Sequence, residues 1–376
     1  MANNNIQNAN NLLLFEDTLA QCISSKDILD SILFSKEHFQ IYRDPISNCI
    51  NSLLSKDHGE IIFLPYSTLQ AVYASKWMFD NEVAVLDFAS PTTPGGGVLI
   101  GSKGQEEDLC RTTSLYFVLN SDRFKFEYYN RNKCKHEYTL IEDITVAYIP
   151  QIRILKDQLN KRTDKKNLKI NVIVCAAPNL RKISSYDEGE LEKLVYKRAC
   201  RVFESAIENQ CKNIILGAHG CGAFKNPVSV VGKAYARATE EFKKYFDTII
   251  FAIPDKEKYD EFKEFFVYNS EFSDLLFNIV NLQMTFPNWK ELVCRHGNFV
   301  FLSFDDDAEK FFSITYQDYI DKTNAMEQQL DSMSLLSPKI RTGAKKVLQM
   351  IRENVVETRD NIETYGESYH EDLYWE

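Results

Sequence analysis

The chain has 376 residues, 44% of them apolar, and 44 Lys+Arg against 54 Asp+Glu leave a net charge of −10. That much apolar material supports a full core and excludes the disordered and collagen-like classes for the bulk of the chain. A protein that coats nucleic acid neutralises phosphates with basic side chains, so an acidic balance argues against that class. No run approaches the roughly 20 apolar residues of a membrane span.

Residues 1–11 are rich in Asn and read as a frayed lead-in. The opening MANNNIQNANNLLLF has no basic n-region and only a four-residue apolar run, which is not the pattern of a Sec signal peptide. From Leu12 to about Leu54 apolar residues recur three and four apart, which predicts a helical accessory segment over 1–56. After Asp57-His58-Gly59 the texture changes to short β-rich runs at 61–64, 83–88, 144–149, 170–177, 213–218 and 248–253. Helical patterns at 189–210 and 229–246 separate some of them. Apolar strands alternating with helices predict an α/β core over 57–268, a mixed central sheet covered on both faces in three α/β/α layers. Arg153, Lys156, Lys161, Arg162, Lys165, Lys166, Lys169, Arg181 and Lys182 make 153–183 a basic stretch. It reads as a solvated loop between strands or as a positive rim for an anionic ligand. Residues 271–336 read as mostly helical. Pro338 opens an amphipathic helix through about Val356, and 357–376 form an acidic, aromatic tail. Residues 269–376 are thus expected to be a mostly helical C-terminal extension.

There are nine cysteines, without a CxxC pair and several inside apolar runs, which points to a reducing, cytoplasmic setting. The six histidines are scattered, and Cys134-Lys135-His136 is too isolated for a zinc site, so no metal or cofactor is expected.

Glycine is scarce: 14 residues, about half the usual share of roughly 7%. Eight of the 14 fall in two short segments. In the first, the strand at 83–88 runs into Ala89-Ser90-Pro91-Thr92-Thr93-Pro94-Gly95-Gly96-Gly97. Seven residues later come Gln105-Glu106-Glu107 and then Asp108-Leu109-Cys110-Arg111. Three glycines after a buried strand strip side chains from the backbone, so their N–H groups can line an anion or a sugar phosphate. The two carboxylates stand at a predicted helix start, where negative charge is favoured. A carboxyl group against apolar walls has a raised pKa and can serve as a general acid. The second segment, Gly217-Ala218-His219-Gly220-Cys221-Gly222-Ala223-Phe224-Lys225-Asn226-Pro227, links a strand to a helix N-terminus and forms an anion cradle. It is neither a Walker A loop nor a dinucleotide GxGxxG turn.

Taken together these residues resemble the bacterial-type poly(ADP-ribose) glycohydrolases, a branch of the macrodomain superfamily. That family's pattern is a triple glycine, six to eight residues, then Gln-Glu-Glu. The strand ending in Phe88-Ala89-Ser90 and the stretch Glu107-Asp108-Leu109-Cys110-Arg111 fit its flanks. Tyr148-Ile149-Pro150 resembles its Tyr-x-Pro strand, Ala177-Pro178-Asn179 its Ala-Pro-Asn strand end, and 217–227 its second ligand loop. The resemblance runs over roughly residues 12–255. It implies a macrodomain-like fold and hydrolysis at C1″ of the distal ribose of ADP-ribose, attached to poly(ADP-ribose) or to a modified protein side chain. It further implies that Glu107 protonates the departing atom and then activates water, that Glu106 holds the 2″-hydroxyl, and that Gln105 positions the pair. Gly95, Gly96 and Gly97, with Gly220, Cys221, Gly222 and Ala223, would bind diphosphate and ribose through the backbone. Phe224 would pack on the ligand and Ser90 would meet a distal-ribose hydroxyl. His219 is given no proton-transfer role.

Three other readings stay open at this point: a mono-ADP-ribosyl-arginine hydrolase acting as a bacterial effector, an ADP-ribose-binding macrodomain without turnover, and removal of ADP-ribose from nucleic acid. The presence of both Glu106 and Glu107 argues against a pure reader, and the net charge argues against nucleic acid. The acidic tail resembles the C-terminal export signals of some type IV secreted effectors, which would imply delivery into a host cytosol by a non-Sec route.

Overall fold

The computed structural model describes residues 2–43, 59–79, 83–130, 145–157, 160–163, 168–285, 291–295, 298–305 and 310–365. Cys134-Lys135-His136, Lys165, Lys166, the end of the N-terminal pattern beyond 43 and tail residues 366–376 lie outside the described residues. Two compact units form, Met1–Lys76 with Asn81–Asn269 and Trp77–Asp80 with Ser270–Glu376.

The first unit is built on a seven-stranded sheet. Its strands are β1 (Gln40–Tyr42), β2 (Glu60–Leu64), β3 (Val83–Phe88), β4 (Val146–Arg153), β5 (Lys169–Cys175), β6 (Asn213–Leu216) and β7 (Thr248–Ala252). Their order across the sheet is β1-β4-β5-β3-β6-β7-β2. β5, β3, β6, β7 and β2 run parallel, while β4 and β1 add an antiparallel edge. The parallel strands are short buried runs such as Ile-Ile-Phe-Leu and Val-Ala-Val-Leu because helices cover both of their faces.

On one face pack α6 (Glu188–Glu208), α7 (Val228–Phe242) and α8 (Lys256–Lys263). The Asp187 side chain caps α6 by accepting from Glu190 N at 2.8 Å. On this side Phe63 stacks on Phe251 at 5.0 Å, and Phe262 and Phe266 close over them. The remaining helices of the unit are α1 (Ala2–Ser24), α2 (Lys26–His38), α3 (Thr68–Phe79), α4 (Gln105–Thr112) and α5 (Leu115–Leu119).

The N-terminal segment departs from expectation twice. α1 begins at Ala2, so the Asn-rich lead-in is helical. Its Asn11 side-chain amide donates to Gly101 O at 2.9 Å and its Thr18 hydroxyl to Arg111 O, so tertiary partners outweigh the poor helix propensity of Asn. The helix pattern then breaks at Ser25, which caps α2, and the chain continues as β1, a strand paired to β4 rather than more helix.

The basic stretch divides as well. Arg153 is buried and pairs with Asp27 at 3.0 Å. Lys156, also buried, pairs with Asp17, as does Arg162. Burying such cations demands paired carboxylates, and α1 and α2 supply them. Ser31 and Ser35 of α2 donate to the Gln151 and Pro150 carbonyls at 3.0 and 2.7 Å, where β4 bulges. Neither a solvated loop nor a rim therefore describes Arg153 and Lys156; Lys161, Arg162, Arg181 and Lys182 are exposed.

The second unit contains α9 (Ser270–Thr285), α10 (Tyr316–Ser332) and α11 (Pro338–Tyr365). Between α9 and α10 stand β8 (Glu291–Arg295), β9 (Asn298–Asp305) and β10 (Lys310–Thr315), an antiparallel sheet in the order β10-β9-β8. Residues 271–336, expected to be mostly helical, thus also carry a three-stranded sheet between two helices. Runs such as Phe299-Val300-Phe301-Leu302 are aromatic and β-branched, and they suit a pleated strand better than a helical turn. α11 continues nine residues past Val356. Arg352 of α11 pairs with Glu327 of α10 at 2.6 Å, and Tyr319 donates to Leu282 O at 2.7 Å.

Candidate active site

β5, β3 and β6 are parallel neighbours, so their C-terminal ends open at one edge of the sheet. Ligands of open α/β sheets bind outside that edge. The loop after β3 carries the triple glycine, the one after β5 carries Ala177-Pro178-Asn179, and the one after β6 carries 217–227. Both glycine segments and the Ala-Pro-Asn turn thus meet at one place although they are far apart in sequence.

Gln105 opens α4 and anchors it to β3. Its side-chain oxygen accepts from Phe88 N at 2.8 Å, while its nitrogen donates to Leu86 O at 2.7 Å and Thr68 Oγ1 at 3.1 Å. This amide continues the hydrogen bonding of the strand end and fixes the first turn of α4 against the sheet. Glu106 turns inward and is 3% exposed; its Oε2 accepts from Ser90 N at 2.7 Å. Glu107 is half-buried and its Oε1 accepts from Gly97 N at 2.8 Å.

The triple glycine works differently from the sequence expectation. Gly96 N donates to Thr93 O at 3.1 Å and Gly97 N to Glu107, so these N–H groups serve the loop and the carboxylate rather than an external anion. What the glycines supply is space. Gly96 has φ +55°, and a Cβ there would lie 2.6 Å from Glu107 Oε1 and 2.9 Å from Glu106 Oε2. α1 supports the far side of the same loop: a Cβ on Gly101 (φ +70°) would strike the Asn8 carbonyl.

The second loop is the complementary case. Among the described residues, Gly222, Ala223 and Phe224 make no backbone N–H bond within the protein, and a Cβ on Gly222 would meet nothing within 4 Å. Three successive donors face outward there, as an anion cradle requires. The rest of the loop is structural. Cys221 is buried in the core with its thiol pushed up to about 12 by burial, and its N–H donates to Ala218 O at 3.1 Å, so the ligand contact expected of it is corrected to packing. Gly220 (φ +83°) lies against Ala177 and Asn226. Asn226 donates to Pro178 O and Gly220 O at 2.8 and 3.0 Å, and Leu180 N donates to Phe224 O at 3.0 Å, which ties the two loops together.

Between the loops lies a cleft of about 390 Å³ lined by Ser90, Pro91, Thr92, Thr93, Asn179, Arg181, Lys182 and Phe224. Its Ser90 end adjoins the carboxylates, and its other side carries two cations. Asn179 Oδ1 accepts from Arg181 N at 3.1 Å in a turn that presents the basic pair.

His219 is buried, with Nε2 2.8 Å from Cys175 O and Nδ1 2.9 Å from Tyr235 Oη. A carbonyl only accepts, so Nε2 carries the proton and Nδ1 accepts from the tyrosine. Burial above all holds the ring pKa down from 6.5 to about 4. The unfolded chain takes up this proton near pH 6.5 while the folded chain refuses it until about pH 4, so stability falls as pH drops through that window, by about 3 kcal/mol at full extent. His219→Gln removes the titrating group while keeping one side-chain donor and one acceptor. Urea melts at pH 7 and 4.5 should show a smaller acid loss in the variant than in the wild type; equal losses would contradict this.

Residues 18–157 match the family described as the microbial-type PARG catalytic domain. Among solved structures, poly(ADP-ribose) glycohydrolase from Deinococcus radiodurans in complex with ADP-ribose superposes with a TM-score of 0.55 at 25% identity, covering 62% of this chain and 96% of that one. Residues 18–157 thus carry a microbial-type PARG catalytic domain. The fold of the Thermomonospora curvata poly(ADP-ribose) glycohydrolase is similar too, with a TM-score of 0.61 at 22% identity over 69% of this chain and 100% of that one. No curated protein matches. The glycohydrolase family match spans α1 from Thr18, the triple-glycine loop, α4 and β4, and ends at Asp157. As a glycohydrolase domain it is an enzyme unit acting on glycosyl bonds.

Sequence reasoning passed over several residues that build this site. Thr68 holds Gln105, Asn226 locks the second loop, and Asn11 and Thr18 brace the first. None carries a motif signal. Asp87 was passed over as well, although a lone carboxylate in the apolar run Val83-Ala84-Val85-Leu86-Asp87-Phe88 is unusual enough to be noticed.

Proposed function

We propose that this glycohydrolase cleaves the C1″ glycosidic bond of a terminal ADP-ribose unit in poly(ADP-ribose) and releases ADP-ribose. The observation that carries the reading is Glu107. It is half-buried, aimed by the Gly97 N–H, and set in the first turn of α4 next to Glu106, whose partner Ser90 lines a cleft that also carries Arg181 and Lys182. Glu107 gives its proton to the oxygen leaving C1″ as that bond breaks through an oxocarbenium-like state. It then takes a proton from the water that attacks C1″, so the acid is regenerated and no net proton is consumed. Gln105 and the Ser90–Glu106 bond hold the acid's turn in place through both steps.

The electrostatics of the cleft orient the ligand. Carboxylates at the Ser90 end repel phosphate and tolerate a neutral sugar, whereas Arg181, Lys182 and the outward N–H groups of Gly222, Ala223 and Phe224 attract the diphosphate. Phe224 offers an apolar ring between the two ends. Arg181→Glu with Lys182→Glu should weaken ADP-ribose binding by about tenfold or more at low salt, with a smaller difference at high salt. Calorimetry at two ionic strengths checks this, and an unchanged Kd would remove the pair from the site.

The reading as a whole is tested by incubating the full chain with poly(ADP-ribose), mono-ADP-ribosyl-arginine protein and ADP-ribosylated nucleic acid. Release of ADP-ribose from the polymer is expected. Binding of ADP-ribose without release from any of the three would refute the hydrolase reading, and release from arginine alone would move it to a different acceptor.

A further inference from the structure

Asp87 stands in the central strand of the sheet and is 0% exposed, yet among the described residues neither of its carboxyl oxygens has a hydrogen-bond partner. Oε1 of Glu106 and the hydroxyl of Tyr129 are among the other buried polar atoms in this condition. The fold brings these three together. Gln105 bonds Phe88 N and Leu86 O, the groups on either side of Asp87, so the next residue of α4, Glu106, is set beside it. The buried Tyr129 has both Glu106 and Asp87 in its electrostatic surroundings.

Two carboxyl groups in one dry pocket cannot both ionise. Burial pushes both well above the usual carboxylate range; the neighbouring Asp87 charge raises Glu106 further, and that of Glu107 raises Asp87. The other titratable groups facing the pair are Cys110 of α4, Tyr128 and Tyr129 of the following turn, and Cys175 of β5, none of them a cation. Among the described residues no basic side chain acts on Asp87. Glu106 has a donor to stabilise its charge, the Ser90 N–H, and Asp87 has none. The shared proton therefore belongs on Asp87.

We infer that Asp87 is a positioning residue held as a neutral carboxylic acid, donating its O–H to the otherwise unpartnered Oε1 of Glu106. This bond and the Ser90 N–H together would fix both oxygens of Glu106. The loop from Ser90 to Gly97 and the neighbouring Glu107 are thereby held in the geometry that the proposed hydrolysis needs, and the role rests on that reading. Loss of the Asp87 proton at high pH would place two charges in the pocket and release the loop, giving the alkaline limb of the activity profile.

The experiment compares wild type with Asp87→Asn, which keeps a neutral donor, and Asp87→Leu, which keeps the volume without one. Asp87→Asn should retain kcat within about threefold near neutrality and lose the alkaline limb, while Asp87→Leu should lose about tenfold or more in kcat with KM little changed. Equal activity of the two variants at matched melting temperature, or an alkaline limb that persists in Asp87→Asn, would overturn the inference. Infrared difference spectra of the full chain give a readout independent of turnover. A protonated-carboxyl C=O band should be present in wild type and missing in Asp87→Asn, even if no substrate is hydrolysed. Absence of that band in wild type would refute the neutral Asp87 whatever the activity.

Discussion

Glu107→Gln should lower turnover by about 10²–10⁴-fold, the usual contribution of a general acid–base group, while leaving ADP-ribose affinity close to that of the wild type. The amide oxygen of Gln can still accept from Gly97 N, and the side chain keeps its volume, so the loop and cleft stay as they are. What it loses is the proton. Steady-state release of ADP-ribose from polymer, with calorimetry on the same preparation, separates the two effects. Unchanged turnover would take Glu107 out of the chemistry. A parallel loss of binding would mean that the side chain shapes the pocket rather than reacts in it.

Gly96→Val should cost nearly as much activity without touching a reacting group. Its φ of +55° lies in the left-handed region, where a β-branched residue is strained by about 1–3 kcal/mol. The added Cβ would also sit 2.6 Å from Glu107 Oε1 and 2.9 Å from Glu106 Oε2, displacing both carboxylates. The variant should melt lower than wild type and lose both kcat and polymer affinity. Gly222→Ala is the matched control. Its Cβ meets nothing within 4 Å and its N–H is kept, so stability and turnover should hold. Wild-type turnover in Gly96→Val would show that the acid does not depend on the space this glycine leaves.

Much of the core was legible because its signals are local. The run 83–88 became β3 to the residue, and the patterns at 189–210 and 229–246 became α6 and α7 within a few positions. The Gln-Glu-Glu turn opened a helix as its charges suggested. The extension beyond 269 was less legible. Interspersed aromatics there fit either a helix or a pleated strand, and only pairing between β8, β9 and β10 selects the strand.

Composition, periodicity and spacing by themselves determined the α/β core, the two glycine loops and the pair of carboxylates, because strand runs, helix starts and glycine turns are written in neighbouring residues. The tertiary structure alone decided how those parts are used. It turned Glu106 inward, held Glu107 half-buried on the Gly97 N–H, committed the first loop's N–H groups to the protein and left the second loop's without protein partners. It also paired Arg153, Lys156 and Arg162 of the basic stretch with carboxylates of α1 and α2, and it buried Asp87 without a partner among the described residues. The reason is physical: burial, hydrogen-bond partnership and the charge state of a carboxyl depend on what chain topology brings alongside, and those neighbours lie up to more than a hundred residues away in sequence.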